Sequence, residues 1–185
     1  TPAHVTEAIA EAMRRGQTSY GPSSGTDDAV AAIRREAGRK GIPRPDEGHV
    51  FVTTGASEAI ELSLSALLNS GDDLLVPSPG YPLYTALLSK LEAVANPYFL
   101  DEERGWAPDV DDIVSRIGPR TRGIVLINPN NPTGTGYDAA TVDAVVGVAR
   151  AHGLVLFADE IYDKLTLDGV PHVALASRAG DHPCV

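Results

Sequence analysis

The stretch "GIVLINPNNPTGTG" (residues 123–136) joins an apolar run to a loop rich in asparagine, proline and glycine. A continuous run of branched apolar residues is typical of a strand that is buried on both faces of a sheet. The prolines that follow fix the backbone and remove hydrogen-bond donors, so neither a helix nor a strand is expected beyond residue 128. The stretch therefore predicts a buried strand that opens into a rigid loop, and the amide side chains of that loop indicate a site at the strand end.

Strand-like and helical patterns alternate along the rest of the chain. Apolar residues at helical spacing, for example Val142, Val145 and Val146, separate the strand-like runs. Alternation of this kind predicts an α/β fold, a three-layer α/β/α sandwich with a mainly parallel sheet. The strand-like runs are "VFVT" (50–53), "LLVP" (74–77), "AVANPYFL" (93–100), "GIVLIN" (123–128) and "LVLFA" (154–158).

Two helical patterns precede the first of these runs. Thr1 and Pro2 predict the start of one helix, and Thr26 predicts the cap of a second. The polar loop "QTSYGPSSG" (17–25) separates the two helices. We expect residues 1–25 to lead into the domain as a helix and a loop, and residues 26–185 to form the α/β domain.

The composition excludes several classes of protein. The 185 residues are 43% hydrophobic and 22% charged, which predicts a globular domain, and the net charge of −10 argues against nucleic acid and membrane as partners. The single cysteine, Cys184, provides no disulfide framework, so a reducing cytoplasm is the expected location. No apolar run approaches the roughly 20 residues of a membrane span.

Ligands of parallel α/β sheets bind beyond the carboxyl ends of the strands, so the residues that follow each strand-like run are candidate site residues. Ala56 and Ser57, after Gly55, form a tight strand-to-helix turn that suits a phosphate, although helix capping by Ser57 explains the same residues. Tyr81 lies between Gly80 and a proline, where its ring either covers a flat ligand or packs at a helix start.

The later strand-like runs end in polar residues. Asn131 lies in the rigid loop, and Asp159 ends a buried run, where a carboxylate is costly unless it is paired or functional. Tyr162 comes close to Asp159 if the segment turns helically. The chain lacks the phosphate-binding lysine loop that would support a magnesium–ATP site at "LVLFADE". A phosphate site, an aromatic cover, an amide, a carboxylate and a phenol together predict a flat, phosphorylated, pyridinium-like ligand, which is the chemistry of pyridoxal phosphate.

Four segments carry a resemblance to a known family. They are "TGASEAI" (54–60), "PSPGYPLYTALL" (77–88), "RTRGIVLINPNNPTG" (120–134) and "FADEIYDKL" (157–165). In this order they resemble the fold-type I pyridoxal-phosphate aminotransferases of class I, and they look most like the alanine-aminotransferase branch. The resemblance implies that residues 26–185 are the large domain that binds pyridoxal 5′-phosphate. It also implies an amino acid and a 2-oxo acid as substrates, a homodimer, and no metal.

The same resemblance implies roles for the residues that contact the cofactor. The Ala56 N–H and Ser57 would hold the phosphate, and Tyr81 would stack on the ring. Asp159 would pair with the ring nitrogen.

Three residues would contact other parts of the cofactor or the substrate. By the resemblance, Asn131 and Tyr162 would bind the ring oxygen O3′, and Asn131 would also bind the substrate carboxylate. Tyr20 would reach the phosphate of the other subunit's cofactor.

The resemblance also predicts that the chain is partial. The chemistry of the family needs a Schiff-base lysine, and Lys40, Lys90 and Lys164 all lack the small-residue setting of that lysine. We expect the lysine just beyond Val185, so that no catalytic residue lies in this chain. A large domain without its small domain is expected to be inactive alone.

Three interpretations stay open at this stage. The favoured one is an aminotransferase that uses alanine or glutamate with pyruvate or 2-oxoglutarate. The second is a pyridoxal-phosphate-dependent carbon–sulfur β-lyase of the same fold, which would use the same cofactor-binding residues. The third is a truncated, non-catalytic cofactor-domain protein. Product analysis separates the first two, because transamination yields an oxo acid and transfers the amino group to a second one, whereas elimination releases the amino group as ammonia.

Overall fold

A computed structural model describes residues 1–43, 47–167 and 169–185. Its strands are β1 (Asp73–Ser78), β2 (Val94–Asp101), β3 (Ala107–Pro108), β4 (Thr121–Ile127) and β5 (Val155–Asp159). Its α-helices are α1 (Ala3–Arg14), α2 (Asp27–Arg39), α3 (Ala56–Leu67), α4 (Pro82–Lys90), α5 (Val110–Ser115), α6 (Ala139–His152) and α7 (Leu175–Ala179). Short 3₁₀ helices span Glu47–His49 and Glu102–Arg104.

The five strands form one sheet in the order β3-β2-β1-β4-β5. Strands β2, β1, β4 and β5 are parallel, and only the two-residue β3 runs antiparallel, against the end of β2. Parallel neighbours need crossover connections, and the helices between the strands provide them. The carboxyl ends of β1, β4 and β5 therefore meet at one edge of the sheet.

Apolar side chains cover both faces of the sheet, because successive residues of a strand point to opposite faces. Leu74, Val125 and Phe157 belong to a buried cluster that includes residues of α3 and α4. Their neighbours Leu75, Ile124 and Leu156 belong to a second cluster, with residues of α5, α6 and α7. The structure thus confirms the three-layer α/β/α sandwich with a mainly parallel sheet.

The expected strand at 50–53 does not form. The backbone there makes one inter-segment hydrogen bond, from the Val52 N–H to the Ser24 carbonyl at 2.8 Å, and the side chain of Phe51 is 67% exposed. A strand requires a neighbour with which to form a ladder. None of the described strands lies beside this segment, so its apolar pattern alone does not produce one.

The two helix starts differ from each other. Thr26 caps α2 as expected, and its hydroxyl accepts a hydrogen bond from the Ala29 N–H at 3.4 Å. Thr1 does not cap α1, because Pro2 occupies the N-cap position in an extended conformation and makes no side-chain hydrogen bond there. A proline keeps the residue before it extended, which leaves Thr1 outside the helix.

The last residues extend the sheet at the outer edge of β5. The Leu156 N–H donates to the Pro183 carbonyl at 3.0 Å, and the Val185 N–H donates back to the Leu156 carbonyl at 2.8 Å. The bridge between Leu156 and Cys184 is parallel. Burial raises the pKa of the Cys184 thiol to about 12, so the thiol stays protonated beside the strand. Within the described ranges, no helix combines the length and the apolar character needed to cross a membrane.

Candidate functional site

A cavity of about 270 Å³ lies at the edge where the strands end. Segments that follow β1, β4 and β5, together with the start of α3, form its walls. The lining side chains are Ala56, Ser57, Ile60, Tyr81, Ile127, Asn131, Asp159, Ile161 and Tyr162. Six of the seven residues selected from the sequence are in this set, although they are spread over more than 100 positions of the chain. The seventh, Tyr20, is fully exposed and does not line the cavity.

The start of α3 presents free backbone N–H groups. Gly55 is the N-cap, with φ of 81°, a conformation that suits glycine, and no side chain caps this helix. Ser57 lies in the first turn and is therefore not the N-cap, so the capping explanation does not hold. The first N–H groups of a helix have no partner within the helix, and they attract anions. The Ala56 backbone and the Ser57 side chain thus place hydrogen-bond donors at the cavity wall.

The three asparagines of the loop after β4 differ in what they contact. Asn128 is buried, and its amide oxygen accepts from the Tyr137 N–H at 2.9 Å while its amide nitrogen donates to the Val173 carbonyl at 3.0 Å. Asn130 is also buried and donates to the Thr133 hydroxyl at 2.9 Å.

Asn131 is the asparagine of this loop that lines the cavity. It is half-buried, next to the loop segment that the two buried amides stabilise. The backbone of the loop is also closed by a hydrogen bond from the Asn130 N–H to the Thr135 carbonyl at 2.8 Å. The rigid loop therefore holds one free amide at the strand end.

Asp159 is the last residue of β5 and pairs in register with Ile127 of β4. One of its carboxylate oxygens, Oδ2, accepts a hydrogen bond from the Tyr84 hydroxyl at 3.0 Å. The other, Oδ1, accepts a longer bond from the Ile161 N–H at 3.4 Å. The carboxylate is thus held by neutral donors at the wall of the cavity.

A charged cluster supports the turn that carries Tyr162. Glu160 accepts from the Leu175 N–H at 2.7 Å, and its other carboxylate oxygen lies 3.2 Å from His172 Nε2. Asp163 forms an ion pair with Lys40 of the α2 C-cap at 2.6 Å, and the two side chains are only 16% and 24% exposed. The basic run around Lys40 would favour a solvated side chain, but the structure places this lysine in a largely buried ion pair. It joins α2 to the turn that follows Asp159.

We expect Lys40→Met to lower the free energy of unfolding by about 1–3 kcal/mol, because it leaves the half-buried Asp163 without its charged partner. Lys90→Met is the matched control. Lys90 pairs with Glu61 on the surface, where the two side chains are 65% and 43% exposed. Loss of this exposed ion pair should change the free energy of unfolding by less than about 0.5 kcal/mol. Urea unfolding of the two variants measures the difference, and equal effects would show that the Lys40 pair does not support the turn.

A larger cavity of about 520 Å³ lies on the other side of Asn131 and Tyr162. Its walls are mainly apolar and come from the loop after β4, from Tyr162 and from residues 165–167 and 170–172. Among the described residues, its lining includes neither a helix N-terminus nor a carboxylate. The smaller cavity has both groups, so it is the better candidate for a ligand that carries an anion at one end and a cation at the other.

Sequence reasoning missed four residues of the smaller site. Ile60, Ile127 and Ile161 line the cavity and supply apolar contact. Tyr84 does not line it, but its hydroxyl donates to Asp159, which does. Ile60 and Tyr84 belong to apolar helical patterns, which predict only burial. The available signal for Tyr84 was its position one helical turn after Tyr81.

Comparison with known proteins identifies the family. The sequence profile of "Aminotransferase class I and II" matches residues 1–184, and the chain belongs to this family. It is 43% identical over 177 residues to the glutamate-pyruvate aminotransferase of Escherichia coli strain K12, an alignment that covers 95% of this chain and 44% of that protein. It is 42% identical over all 185 residues to the alanine aminotransferase of Mycobacterium tuberculosis, of which it covers 43%.

Solved structures agree with the sequence comparison. The alanine aminotransferase of Pyrococcus furiosus superposes with a TM-score of 0.95 at 38% identity, over 99% of this chain and 46% of that one. An aminotransferase from Escherichia coli gives the same TM-score at 40% identity, and the match covers 99% of the present chain and 45% of the Escherichia coli chain. The present chain thus spans a little under half the length of the relatives that it matches.

Proposed function

We propose that this chain is the cofactor-binding part of a pyridoxal-phosphate-dependent aminotransferase that moves an amino group between an amino acid and a 2-oxo acid. The observation that carries the proposal is the cavity of about 270 Å³, in which a free helix start, an amide, two phenols and a carboxylate converge. The relatives named above support alanine or glutamate as the amino acid and pyruvate or 2-oxoglutarate as the acceptor.

The donor set fits pyridoxal phosphate. The phosphate requires N–H and hydroxyl donors, and the Ala56 backbone and Ser57 supply them at the start of α3. The ring nitrogen requires an acidic partner if it is to stay protonated, and Asp159 is the carboxylate that lines the cavity. When bound, the cofactor supplies an electron-withdrawing ring that stabilises negative charge on the substrate.

The remaining residues orient the ligand. We assign the ring oxygen to Asn131 and Tyr162, and the substrate carboxylate also to Asn131. Tyr81, at the end of the loop before α4, would cover the ring, and the isoleucine side chains that line the cavity would exclude water around it. Exclusion of water strengthens the interaction of Asp159 with a cationic ring, because charges attract more strongly where the dielectric constant is low.

Three further parts of the proposal concern the whole protein. We assign residues 26–185 to the large domain and residues 1–25 to the segment that leads into it. We place the Schiff-base lysine outside residues 1–185. Lys40 and Lys90 support this placement, because they pair with carboxylates and do not line the cavity, and Lys164 likewise pairs with Glu36.

The assembly and the location are also proposed. Tyr20, fully exposed, is assigned to the phosphate site of a second subunit in a homodimer. The cytoplasm is proposed because the chain contains only one cysteine, and that thiol is half-buried beside β5. Sedimentation of the wild-type protein and of a Tyr20→Phe variant with and without cofactor tests the assembly, since the proposal requires a dimer in which this phenol contributes to cofactor affinity.

An assay of the whole protein tests the reaction. Alanine and 2-oxoglutarate should yield pyruvate and glutamate in equal amounts without release of ammonia. Alanine has no leaving group on Cβ, so the β-lyase chemistry is tested with an S-substituted cysteine, from which elimination would release a thiol, pyruvate and ammonia. The names of the relatives argue against that result. The absence of pyruvate and glutamate from the alanine assay would contradict the proposed activity.

Asn131→Ala should weaken the binding of pyridoxine 5′-phosphate to this chain by about tenfold, because one hydrogen bond to the ring oxygen is lost. This probe has an alcohol in place of the aldehyde, so it binds without reacting with lysines. The stability of the chain should change little, because the Asn131 amide is not among those that close the loop.

Asn128→Ala is the contrasting control. It should lower the free energy of unfolding by about 1–3 kcal/mol, because it leaves the buried Tyr137 N–H and the part-buried Val173 carbonyl without this partner. Calorimetric titration and urea unfolding of both variants measure the two effects. Unchanged affinity in Asn131→Ala would remove this residue from the site.

A further inference from the structure

Tyr84 does not line the cavity, but it contacts Asp159, which does. It is the third residue of α4, and its side chain is 3% exposed. Its hydroxyl donates to Asp159 Oδ2 at 3.0 Å, across 75 positions of sequence. A buried hydroxyl needs a partner, and this carboxylate supplies it. The contact joins α4 to the end of β5.

The phenol is a donor without charge. Burial, and then the charge of Asp159, raise the pKa of Tyr84 far above its usual value, so the hydroxyl keeps its proton. An arginine or a lysine at this position would neutralise the carboxylate and compete with a cationic ligand. A neutral phenol instead fixes the position of one carboxylate oxygen and leaves the negative charge available to the cavity.

Tyr84 belongs to the same helix start as a residue of the cavity wall. Tyr81 is the N-cap of α4 and lines the cavity, and the Tyr84 N–H donates to the Tyr81 carbonyl at 3.3 Å. The helix is anchored in the core by the buried Leu87 and Leu88. The first turn of α4 therefore contacts the cavity through Tyr81 and holds the Asp159 carboxylate through Tyr84.

We propose that Tyr84 is a positioning residue that orients the carboxylate of Asp159 toward the cationic ring nitrogen of the ligand. This inference rests on the proposed function, because it requires a pyridinium ligand in the cavity. Tyr84 does not touch the ligand itself. Its effect should therefore appear as a preference for a ring that contains nitrogen, and not as a general loss of binding.

Two probes and two variants test this role. The probes are pyridoxine 5′-phosphate and its carbocyclic analogue, in which a C–H group replaces the ring nitrogen. Tyr84→Phe should lose about tenfold in affinity for the first probe and less than about twofold for the second, since only the first has a nitrogen for Asp159 to bind. Calorimetric titration of the wild-type 185-residue chain and of the two variants with each probe measures the dissociation constants, and thermal unfolding checks the fold of each variant.

Tyr98→Phe is the matched control. Tyr98 is equally buried, at 1% exposure, and its hydroxyl donates to the Val125 carbonyl at 2.8 Å, away from the cavity. This variant should lose stability but keep the wild-type ratio of the two dissociation constants.

The outcomes separate the inference from the proposed function. Equal losses for both probes in Tyr84→Phe, or no loss for either, would overturn the positioning role while leaving the cofactor site intact. Failure of the wild-type chain to bind either probe would overturn the proposed cofactor site, and the positioning role with it.

Discussion

Asp159→Asn should lower the turnover of the whole protein by about a hundred- to a thousandfold, a loss typical of removing one electrostatic group from an active site. The amide keeps the shape of the side chain but not its charge. Without that charge the ring nitrogen loses the partner that holds its proton, and the cofactor withdraws electrons less strongly. The affinity of this chain for pyridoxine 5′-phosphate should fall as well, which gives a measurement independent of turnover.

Asp143→Asn provides the matched control for this change. Asp143 pairs with Arg178 on the surface, where the side chains are 46% and 42% exposed. The same substitution there should leave both turnover and affinity unchanged. Near-normal turnover in Asp159→Asn would contradict the pairing of this carboxylate with the ring.

Gly123→Ala should lower the free energy of unfolding by about 3 kcal/mol, at the upper end of what overpacking a core costs. Gly123 lies in β4, an interior strand between β1 and β5, and pairs in register with Val155. A Cβ atom at this position would lie 2.6 Å from the Val155 carbonyl oxygen and 2.8 Å from the ring of Phe157. The backbone oxygen belongs to the neighbouring strand and cannot move without disturbing the ladder.

Gly147→Ala is the control for a glycine with free space around it. No atom lies within 4 Å of a Cβ built on this residue, which is exposed in the middle of α6. Here alanine should stabilise the chain by about 0.5–1 kcal/mol, because glycine is a poor helix former. Urea midpoints of the two variants should move in opposite directions. A shift of both in the same direction would argue against the close packing of β4.

The central strands were predictable because burial on both faces leaves a continuous apolar run. The runs at 74–77, 123–128 and 154–158 coincide with β1, β4 and β5 to within two residues at each end. The segment 50–53 has an equally apolar run and forms no strand. The difference depends on whether another segment lies beside it, and local sequence does not contain that information. The two-residue β3 is too short to show any period.

The site was predictable to the extent that polar residues end buried strands. Asp159 is the last residue of β5 and Asn131 lies in the loop that follows β4, so parallel topology brings them to the same edge of the sheet. Tyr84 was not predictable in this way, because its spacing with Leu87 and Leu88 indicates only the buried face of a helix. Its bond to Asp159 depends on how α4 packs against the sheet, which is a property of the tertiary structure.

Nuclear magnetic resonance of the isotopically labelled chain, titrated with pyridoxine 5′-phosphate, tests the central claim most directly. The backbone N–H signals of Ala56 and Ser57 should shift most, together with those of Tyr81, Asn131 and Tyr162, and they should saturate at a single dissociation constant. Signals from residues 165–167 and 170, in the wall of the larger cavity, should shift less. Absence of saturable shifts, or shifts confined to the larger cavity, would contradict a cofactor site at the ends of β1, β4 and β5.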